Sequence, residues 1–339
     1  MPLPQIKPDI KSIVTPLLNE QISEEKVVET ISTIHKIYEE YTGITGFSKE
    51  EDLETQIHAK VGKAISTNQT ALCLLDYPRT LQFFRAMIKL IHDKQAAYPE
   101  TTIKILYAGC GPYAPFFTLI APFFRPDEVK FTLLEINNLS LEKTKQLTEN
   151  LDLQDYVLDY READAVTYKI PEGEHYHILF SETLDAGLQR ECFVPILLNL
   201  LPQVDPDTTL IPHNVILDAS LIKQSDFPNG VSDVRNAKLT YPERIIGEIF
   251  NVQKVLKPFL EKGEHPTKFP TKHFIVDDWE SFDYLVLYTK VQVYENFWLT
   301  RGEGLLGEVF LSETERVNYK KDIQFTYHLK PIVEMEVES

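Results

Sequence analysis

Two glutamates, Glu182 and Glu191, stand nine positions apart, just after an apolar run that ends at Ser181. Asp185 and Gly187 lie between them and predict an irregular loop, so a hairpin-like return would bring both carboxylates together. Two adjacent carboxylates in a cleft would either share a proton or hold a cation. The alternative is that both are solvated surface glutamates, which is the usual state of glutamate in a loop.

A second stretch, from Ile103 to Glu135, has the layout of a nucleotide-binding βαβ unit. An apolar strand leads into a turn with Gly109 and Gly111, and a helical run is followed by a strand that ends in an acid. Glycine has no Cβ, so its backbone can take a positive φ and lie close to a ligand. Glu135 is placed to accept hydrogen bonds from a ribose diol. The alternative for the glycines alone is an ordinary structural turn.

From Lys104 to about Leu217 the sequence pattern alternates between strand and helix, which predicts a parallel sheet. These elements must position the groups described above. The predicted strands are Ile103–Tyr107, Lys130–Leu134, Asp155–Tyr160, His177–Ser181 and Thr209–Leu217. The predicted helices are Pro115–Phe124, Leu139–Leu151 and Cys192–Leu201. Ligands of open α/β sheets bind outside the carboxyl ends of the strands, and Glu182 follows one of them directly.

The parts of the chain on either side of this region have different patterns. Residues from about 20 to 98 are predicted to be helical, with one helix from about Lys49 to Ile65. After about Leu217, apolar and polar residues alternate as in half-buried antiparallel strands, around an inserted helical segment from about Asn236 to Leu260. We therefore predict an α/β fold in three parts: an N-terminal helical segment (1–98), a Rossmann-like domain (99–217) and a β-rich C-terminal domain (218–339).

Composition and charge limit the classes of function. The 339 residues carry a formal net charge of −17, which disfavours a duplex nucleic-acid partner, because such binding rests on Lys and Arg. The acidity is compatible with a cationic substrate, and equally with an acidic soluble surface. No apolar run reaches the ~18 residues of a membrane span, and the N-terminus lacks a signal peptide's apolar core. Three scattered cysteines predict neither a metal site nor a disulfide framework, so we expect a cytoplasmic protein.

The glycine turn carries a resemblance to a known class of enzymes. The run from Ile105 to Gly111, Ile-Leu-Tyr-Ala-Gly-Cys-Gly, resembles motif I of class I S-adenosylmethionine (SAM) methyltransferases, and Leu133-Leu134-Glu135 resembles their second-strand acid. The resemblance implies that SAM binds at Ala108, Gly109, Cys110, Gly111 and Glu135. Tyr107 stands where these enzymes usually have an acid, and Tyr113 where they often have a third glycine.

The glutamate loop resembles a more specific family. Ser181-Glu182 through Glu191 is similar to the double-E loop of protein arginine methyltransferases, and Leu210-Ile-Pro to that family's entry into its β-barrel domain. Asp76-Tyr-Pro-Arg79-Thr resembles the family's segment before motif I, which implies that Arg79 grips the cofactor's carboxylate. The alternative for Arg79 is a surface or capping arginine. Ala163 and Asp164 stand where such enzymes contact the adenine amino group, and the alternative for Asp164 is a helix cap or turn.

These resemblances imply that the chain is a SAM-dependent methyltransferase that N-methylates a guanidinium or another cationic nitrogen, on a protein side chain or a small molecule. They leave a homodimer open. The family's Thr-His-Trp loop is absent as a tripeptide, and the candidates to replace it are His273, Trp279, Trp298 and His328. The alternatives are a small-molecule N- or O-methyltransferase, or a non-catalytic SAM-fold binding protein, which Tyr107 and Tyr113 favour.

Overall fold

The computed structural model describes residues 7–223, 243–278, 281–306, 310–313 (backbone only), 322–330 and 333–338. Helices dominate up to Ala97, with one small hairpin among them. The elements are α1 (Ile10–Val14), α2 (Glu24–Thr42), α3 (Glu51–Glu54), β1 (Ile57–His58), β2 (Lys63–Ala64), α4 (Thr67–Leu72) and α5 (Tyr77–Ala97). Helix α2 begins at its N-cap Ser23, whose side chain accepts from the Lys26 N–H, and ends at Gly43, with φ +74°.

Tyrosine hydroxyls hold the N-terminal helices against the rest of the chain. The hydroxyl of the fully buried Tyr38 donates to Thr118 Oγ1 at 2.7 Å. The Tyr113 hydroxyl donates to the Ile44 carbonyl, just beyond the end of α2. The rings of the two tyrosines also meet edge to face. The tyrosine at the position of the third glycine therefore has a packing role, because it joins the glycine turn to α2.

The predicted helix from about Lys49 to Ile65 is wrong. Only Glu51–Glu54 is helical, and β1 and β2 follow as an antiparallel hairpin in which Ile57 pairs with Ala64. Gly62 has φ +84°, a backbone conformation that a right-handed helix cannot contain. The hairpin's backbone N–H groups bind distant parts of the chain, and these bonds override the helical spacing of the apolar residues. The segment 1–98 is therefore not helical throughout.

Five parallel strands form the central sheet, in the order β5-β4-β3-β6-β7. Its elements are β3 (Ile103–Ala108), α6 (Pro115–Thr118), β4 (Val129–Glu135), α7 (Asn138–Asn150), β5 (Val157–Glu162), β6 (Ile178–Ser181), α8 (Phe193–Leu200) and β7 (Thr209–Ile211). Every residue of β3 except Lys104 is buried, as expected for a strand covered on both faces. The chain continues from β3 to one side and returns at β6 on the other, which makes a topological switch point between these two strands.

Antiparallel sheets follow the parallel sheet. Their elements are β8 (Asn214–Ile222), β9 (Arg244–Asn251), α9 (Val252–Lys262), β10 (Lys272–Ile275), β11 (Tyr284–Tyr294), β12 (Phe297–Leu299), β13 (Phe310–Glu313), β14 (Asp322–His328) and β15 (Glu334–Glu338). One sheet has the order β12-β11-β8-β9, with β13 also paired to β11, and the other has the order β10-β14-β15. The predicted fold class, a Rossmann-like parallel sheet with N-terminal helices and a separate antiparallel β region, is confirmed.

Two predicted elements in this region are wrong. The strand predicted over Thr209–Leu217 is two strands: β7 belongs to the parallel sheet and β8 to an antiparallel one. Pro212 separates them, because it has no N–H with which to continue a ladder. The helical segment predicted from about Asn236 is a strand over Arg244–Asn251, and the helix begins only at Val252. Residues 236–242 lie outside the described part of the chain. None of the described helices combines the length and apolar content of a bilayer crossing.

Candidate active site

A cavity of roughly 800 Å³, counting its open mouth, lies at the carboxyl ends of β3, β4 and β6. Most of the predicted site residues line it together: Arg79, Gly109, Cys110, Glu135, Ala163, Asp164, Glu182 and Glu191. Two predicted site residues do not line it: Ala108 lies behind its wall in the apolar core, and Gly111 lies deeper in the glycine turn, where its N–H donates to Glu135. The cavity also has walls that the sequence did not indicate. These are the β1–β2 hairpin, through Ala59 and Lys63, and the α4 region, through Thr70 and Cys73.

The glycine turn after β3 is packed too closely for any side chain. Gly109 and Gly111 have φ +77° and +66°, in the left-handed region that favours glycine. A Cβ added to Gly109 would lie 2.4 Å from Thr183 Cγ2, in the glutamate loop between Glu182 and Glu191. A Cβ added to Gly111 would lie 2.3 Å from Thr70 Cγ2. The turn therefore needs glycine at both positions, to fit between that loop and α4.

Glu135 is a buried carboxylate that the turn itself holds. Its Oε2 accepts from the Gly111 N–H at 2.8 Å, and its Oε1 from the Asn137 N–H at 2.9 Å. Burial raises the pKa of Glu135, and these backbone hydrogen bonds oppose the rise. A carboxylate offers about four lone-pair sites, so two remain for hydroxyl donors in the cavity. This leaves Glu135 able to accept from a diol.

Asp164 anchors the hairpin that covers one side of the cavity. Its Oδ2 accepts from the Lys60 N–H and its Oδ1 from the Val166 N–H, both at 2.9 Å. The hairpin is tied a second time where the Lys63 N–H donates to the Arg190 carbonyl at 3.0 Å. The alternative prediction for Asp164, a helix cap or turn, describes these hydrogen bonds within the chain, and Asp164 also lines the cavity.

Arg79 and Glu182 form a buried ion pair across 103 positions of sequence. Arg79 Nη2 contacts Glu182 Oε2 and also donates to the Glu182 carbonyl at 3.3 Å. Each side chain is only 7% exposed. The expected partner of Arg79 was the carboxylate of a cofactor, and the chain itself supplies a carboxylate instead. A guanidinium has five N–H donors, so pairing through Nη2 leaves others for a second anion.

The two glutamates of the loop share the cavity and both resist ionisation. Burial raises the pKa of Glu182 to about 7, against the opposing effect of Arg79. Burial also raises the pKa of Glu191 to about 8, with a further contribution from the charge of Asp185. Among the described residues, Glu182 Oε1 has no hydrogen-bond partner. A ligand that brings positive charge and N–H donors would therefore stabilise both carboxylates.

The glutamate loop, from Ser181 to Glu191, is shaped by its own residues and bound to both antiparallel sheets. Gly187, at φ +73°, donates its N–H to Thr289 Oγ1 at 2.8 Å. The Tyr327 hydroxyl donates to the Leu188 carbonyl at 2.7 Å. Asp185 accepts from the Arg190 N–H at 3.1 Å and closes the loop. Sequence reasoning marked the irregular loop, but nothing in the sequence indicated Thr289 or Tyr327.

Comparisons with known proteins find likeness in structure but not in sequence. No model of a known protein family matches the chain, and no curated protein matches it. The crystal structure of PRMT6 aligns with 80% of this chain and 98% of its own, at 13% identity and a TM-score of 0.54. The Trypanosoma brucei PRMT1 enzyme–prozyme heterotetrameric complex with AdoHcy aligns with 78% of this chain and 89% of its own, at 12% identity and a TM-score of 0.48. The PRMT6 alignment confirms, for the fold, the resemblance to protein arginine methyltransferases.

The described candidates for the missing Thr-His-Trp loop do not line the cavity. The His273 ring contacts Asp322 at 3.2 Å, and the His328 ring contacts Glu336 at 2.7 Å. Trp298 lies on β12 and pairs with β11. Trp279 is outside the described residues. Both histidines therefore contact carboxylates within the antiparallel β region and do not line the cavity that holds the glutamate pair.

Two further residues that line the cavity are Cys73 and Tyr107. Burial raises the pKa of the Cys73 thiol to about 12, so Cys73 is not a nucleophile at neutral pH. Tyr107 stands where the related enzymes have an acid, and its ring packs edge to face on Phe180 at 4.5 Å between centroids. An aromatic ring in this position adds apolar surface to the wall between the glycine turn and Glu182.

Proposed function

We propose that this chain binds SAM and transfers its methyl group to a guanidinium nitrogen. The observation that carries the proposal is that the buried carboxylate of Glu182 and the half-buried Glu191 line the same cavity as the glycine turn and Glu135. A fold like that of PRMT6 supports it. A cytoplasmic location and self-association in a homodimer belong to the same proposal.

The residues of the cavity suit the parts of SAM. Glu135 would accept from the ribose hydroxyls, the turn at Gly109 would allow close approach of the cofactor, and Asp164 would lie at the adenine. The remaining N–H groups of Arg79 would hold the carboxylate of the methionine part. When bound, SAM supplies a methyl group that its sulfonium already activates, so the protein has to contribute alignment and electrostatics.

The glutamate pair would make a guanidinium able to react. A guanidinium is a poor nucleophile because its lone pairs are delocalised over three nitrogens. Two carboxylates can concentrate the positive charge on two nitrogens through charge-assisted hydrogen bonds and leave the third able to attack. The raised pKa values of Glu182 and Glu191 fit this role, since a bound cation would favour ionisation of both.

The same pair limits the alternatives. A phenolate or carboxylate acceptor would be repelled by ionised glutamates, so a small-molecule acceptor would have to be an amine or amidine. A non-catalytic protein that only binds SAM would have no need for a buried oxygen such as Glu182 Oε1, which has no hydrogen-bond partner within the described part of the chain.

The proposal can be tested with three matched peptides and labelled SAM. One peptide carries arginine, one carries lysine, and one carries citrulline, which has nearly the shape of arginine without its charge. We expect label on the arginine peptide alone. Label on the lysine peptide at an equal rate would exclude the guanidinium, and failure of the protein to bind SAM in calorimetry would exclude the methyltransferase itself.

A further inference from the structure

A group of basic residues lies directly beside the cavity that holds the glutamate pair, in a chain that is otherwise acidic. These residues line a pocket formed by the β1–β2 hairpin, by the glutamate loop and by Leu329, Lys330 and Val333. Its basic members are His58, Lys60, Lys63, Arg190 and Lys330, which we call the basic pocket. Among the described residues that line this pocket, none is Asp or Glu. The contrast is marked, since the whole chain has 51 acidic and 34 Lys or Arg residues.

The charges of the basic pocket are largely available. Within the described part of the chain, Lys60, Lys63 and Lys330 form no ion pair, and all three are exposed. Arg190 contacts Asp185 at 3.3 Å, and although the Asp185 side chain is only 11% exposed, the Arg190 side chain is 77% exposed, so solvent screens its guanidinium. Unpaired cations that stand together repel one another, so an anion placed among them would be attracted.

The basic pocket and the glutamate pair are neighbours in space and in sequence. Lys63 lines both the basic pocket and the main cavity. Arg190 precedes Glu191 directly, so their Cα atoms are about 3.8 Å apart. An extended peptide advances about 3.3–3.6 Å per residue, so a group in the basic pocket would lie only a few residues from the one held by Glu191.

We infer that the acceptor is an acidic peptide segment, in which the methylated arginine is followed or preceded within about three positions by aspartate or glutamate. This inference rests on the proposed function and deepens it. The cationic arginine would enter between the glutamates, and its neighbouring carboxylates would lie among the basic residues. Exposed lysines spread along an open pocket suit several carboxylates on a flexible chain better than one tightly held anion.

The test compares arginine peptides that differ at one position, two residues from the target, with Asp, Asn or Lys there. We expect kcat/KM to fall in the order Asp, Asn, Lys, by about three- to tenfold overall, because exposed ion pairs are individually weak. High salt should shrink the difference, since exposed charges are screened.

The double variant Lys60→Gln, Lys330→Gln should remove the preference for the Asp peptide. Its matched control, Lys36→Gln, Lys262→Gln, changes the net charge equally at exposed lysines elsewhere and should keep it.

Direct binding separates this inference from the proposed function. A labelled acidic peptide with alanine in place of arginine should bind the wild type several-fold more tightly than the Lys60/Lys330 double variant, as followed by fluorescence anisotropy. Equal binding to both would overturn the inference even if arginine is methylated. Weaker binding to the variant, with no methyl transfer to any peptide, would overturn the proposed function and leave the pocket assignment standing. Methylation of free arginine as fast as of the Asp peptide would overturn the assignment to a peptide.

Discussion

Strand β4 ends at Glu135 and strand β6 is followed directly by Glu182, on the same edge of the parallel sheet, but the two buried carboxylates have different surroundings. Both oxygens of Glu135 accept from backbone N–H groups. Glu182 instead faces the side chain of Arg79, and its Oε1 has no hydrogen-bond partner among the described residues. Backbone donors are fixed by the fold, so Glu135 keeps its partners whatever is bound. Ionisation of Glu182 depends on a side chain and on the ligand, which makes the end of β6 responsive to charge.

The largest expected effect is on the rate of methyl transfer when the charge at β6 is removed. Glu182→Gln keeps the shape of the side chain, and we expect transfer to fall by at least ~100-fold, as for loss of one preorganised electrostatic partner. Affinity for SAM should stay nearly unchanged. Radiolabel transfer and calorimetry measure the two, with the exposed Glu172→Gln as control. Glu191→Gln should behave alike, and a double variant with the wild-type rate would make the pair structural.

Removal of the carboxylate at the end of β4 should weaken the binding of SAM and should not change the chemical step. Glu135→Ala removes a charged acceptor from the ribose hydroxyls and should weaken SAM binding by about 1.5–3 kcal/mol, the range for hydrogen bonds to charged groups. Glu162→Ala is the matched control, since Glu162 ends the neighbouring strand β5 and is exposed. If calorimetry gives the Glu135 variant the SAM affinity of the wild type, Glu135 does not bind the cofactor and the contrast with Glu182 is lost.

Methyl transfer should increase with pH, because the glutamate pair has to ionise. The pKa of Glu182 is raised to about 7 and that of Glu191 to about 8, so both are charged in the free enzyme only in mildly alkaline solution. Since kcat/KM reports groups of the free enzyme, it should fall by at least about tenfold from about pH 8.5 to about pH 6.5. The peptide guanidinium stays charged throughout this range. A flat profile would indicate that the pair does not titrate there.

The smallest expected effect is on stability. Because folding raises the pKa of Glu191 from 4.5 to about 8, its stabilising contribution is complete below about 4.5 and is lost as the pH rises through 8. Glutamine cannot ionise and keeps that contribution. Glu191→Gln should therefore raise Tm by about 1–3 °C at about pH 9 and leave it unchanged at about pH 4.5. Thermal unfolding of the variant and wild type at both pH values measures this, and a lower Tm at pH 9 would contradict it.

The sequence was sufficient for the part of the fold whose signals are local. Strands β3 and β4 are short apolar runs bounded by glycine or by charge, and the turn residues Gly109 and Gly111 have few alternatives. The same local reasoning failed at Lys49–Ile65, where apolar residues at helical spacing form a hairpin because their backbone bonds go to Asp164 and Arg190. The helix predicted from about Asn236 was wrong for a similar reason, since Arg244–Asn251 forms strand β9 and pairs with β8.

The candidate site divides in a similar way. The sequence indicated the cavity residues that end or follow the parallel strands, but it did not indicate the walls formed by the β1–β2 hairpin and the α4 region. It could not indicate the pairing of Arg79 with Glu182, which are 103 positions apart, because nothing near either residue specifies the other. The raised pKa values were equally hidden, since they come from burial by elements that meet only in the folded chain. These long-range contacts determine the chemistry of the site.

The Gly187 N–H donates to Thr289 Oγ1 and the Tyr327 hydroxyl donates to the Leu188 carbonyl, so the form of the glutamate loop depends on both antiparallel sheets as well as on the parallel sheet. Substitutions in β11 or β14 would therefore alter the form of the glutamate loop and leave the glycine turn and Glu135 as they are. Under the proposed function, the antiparallel strands are the part of the chain in which substitutions change the choice of acceptor.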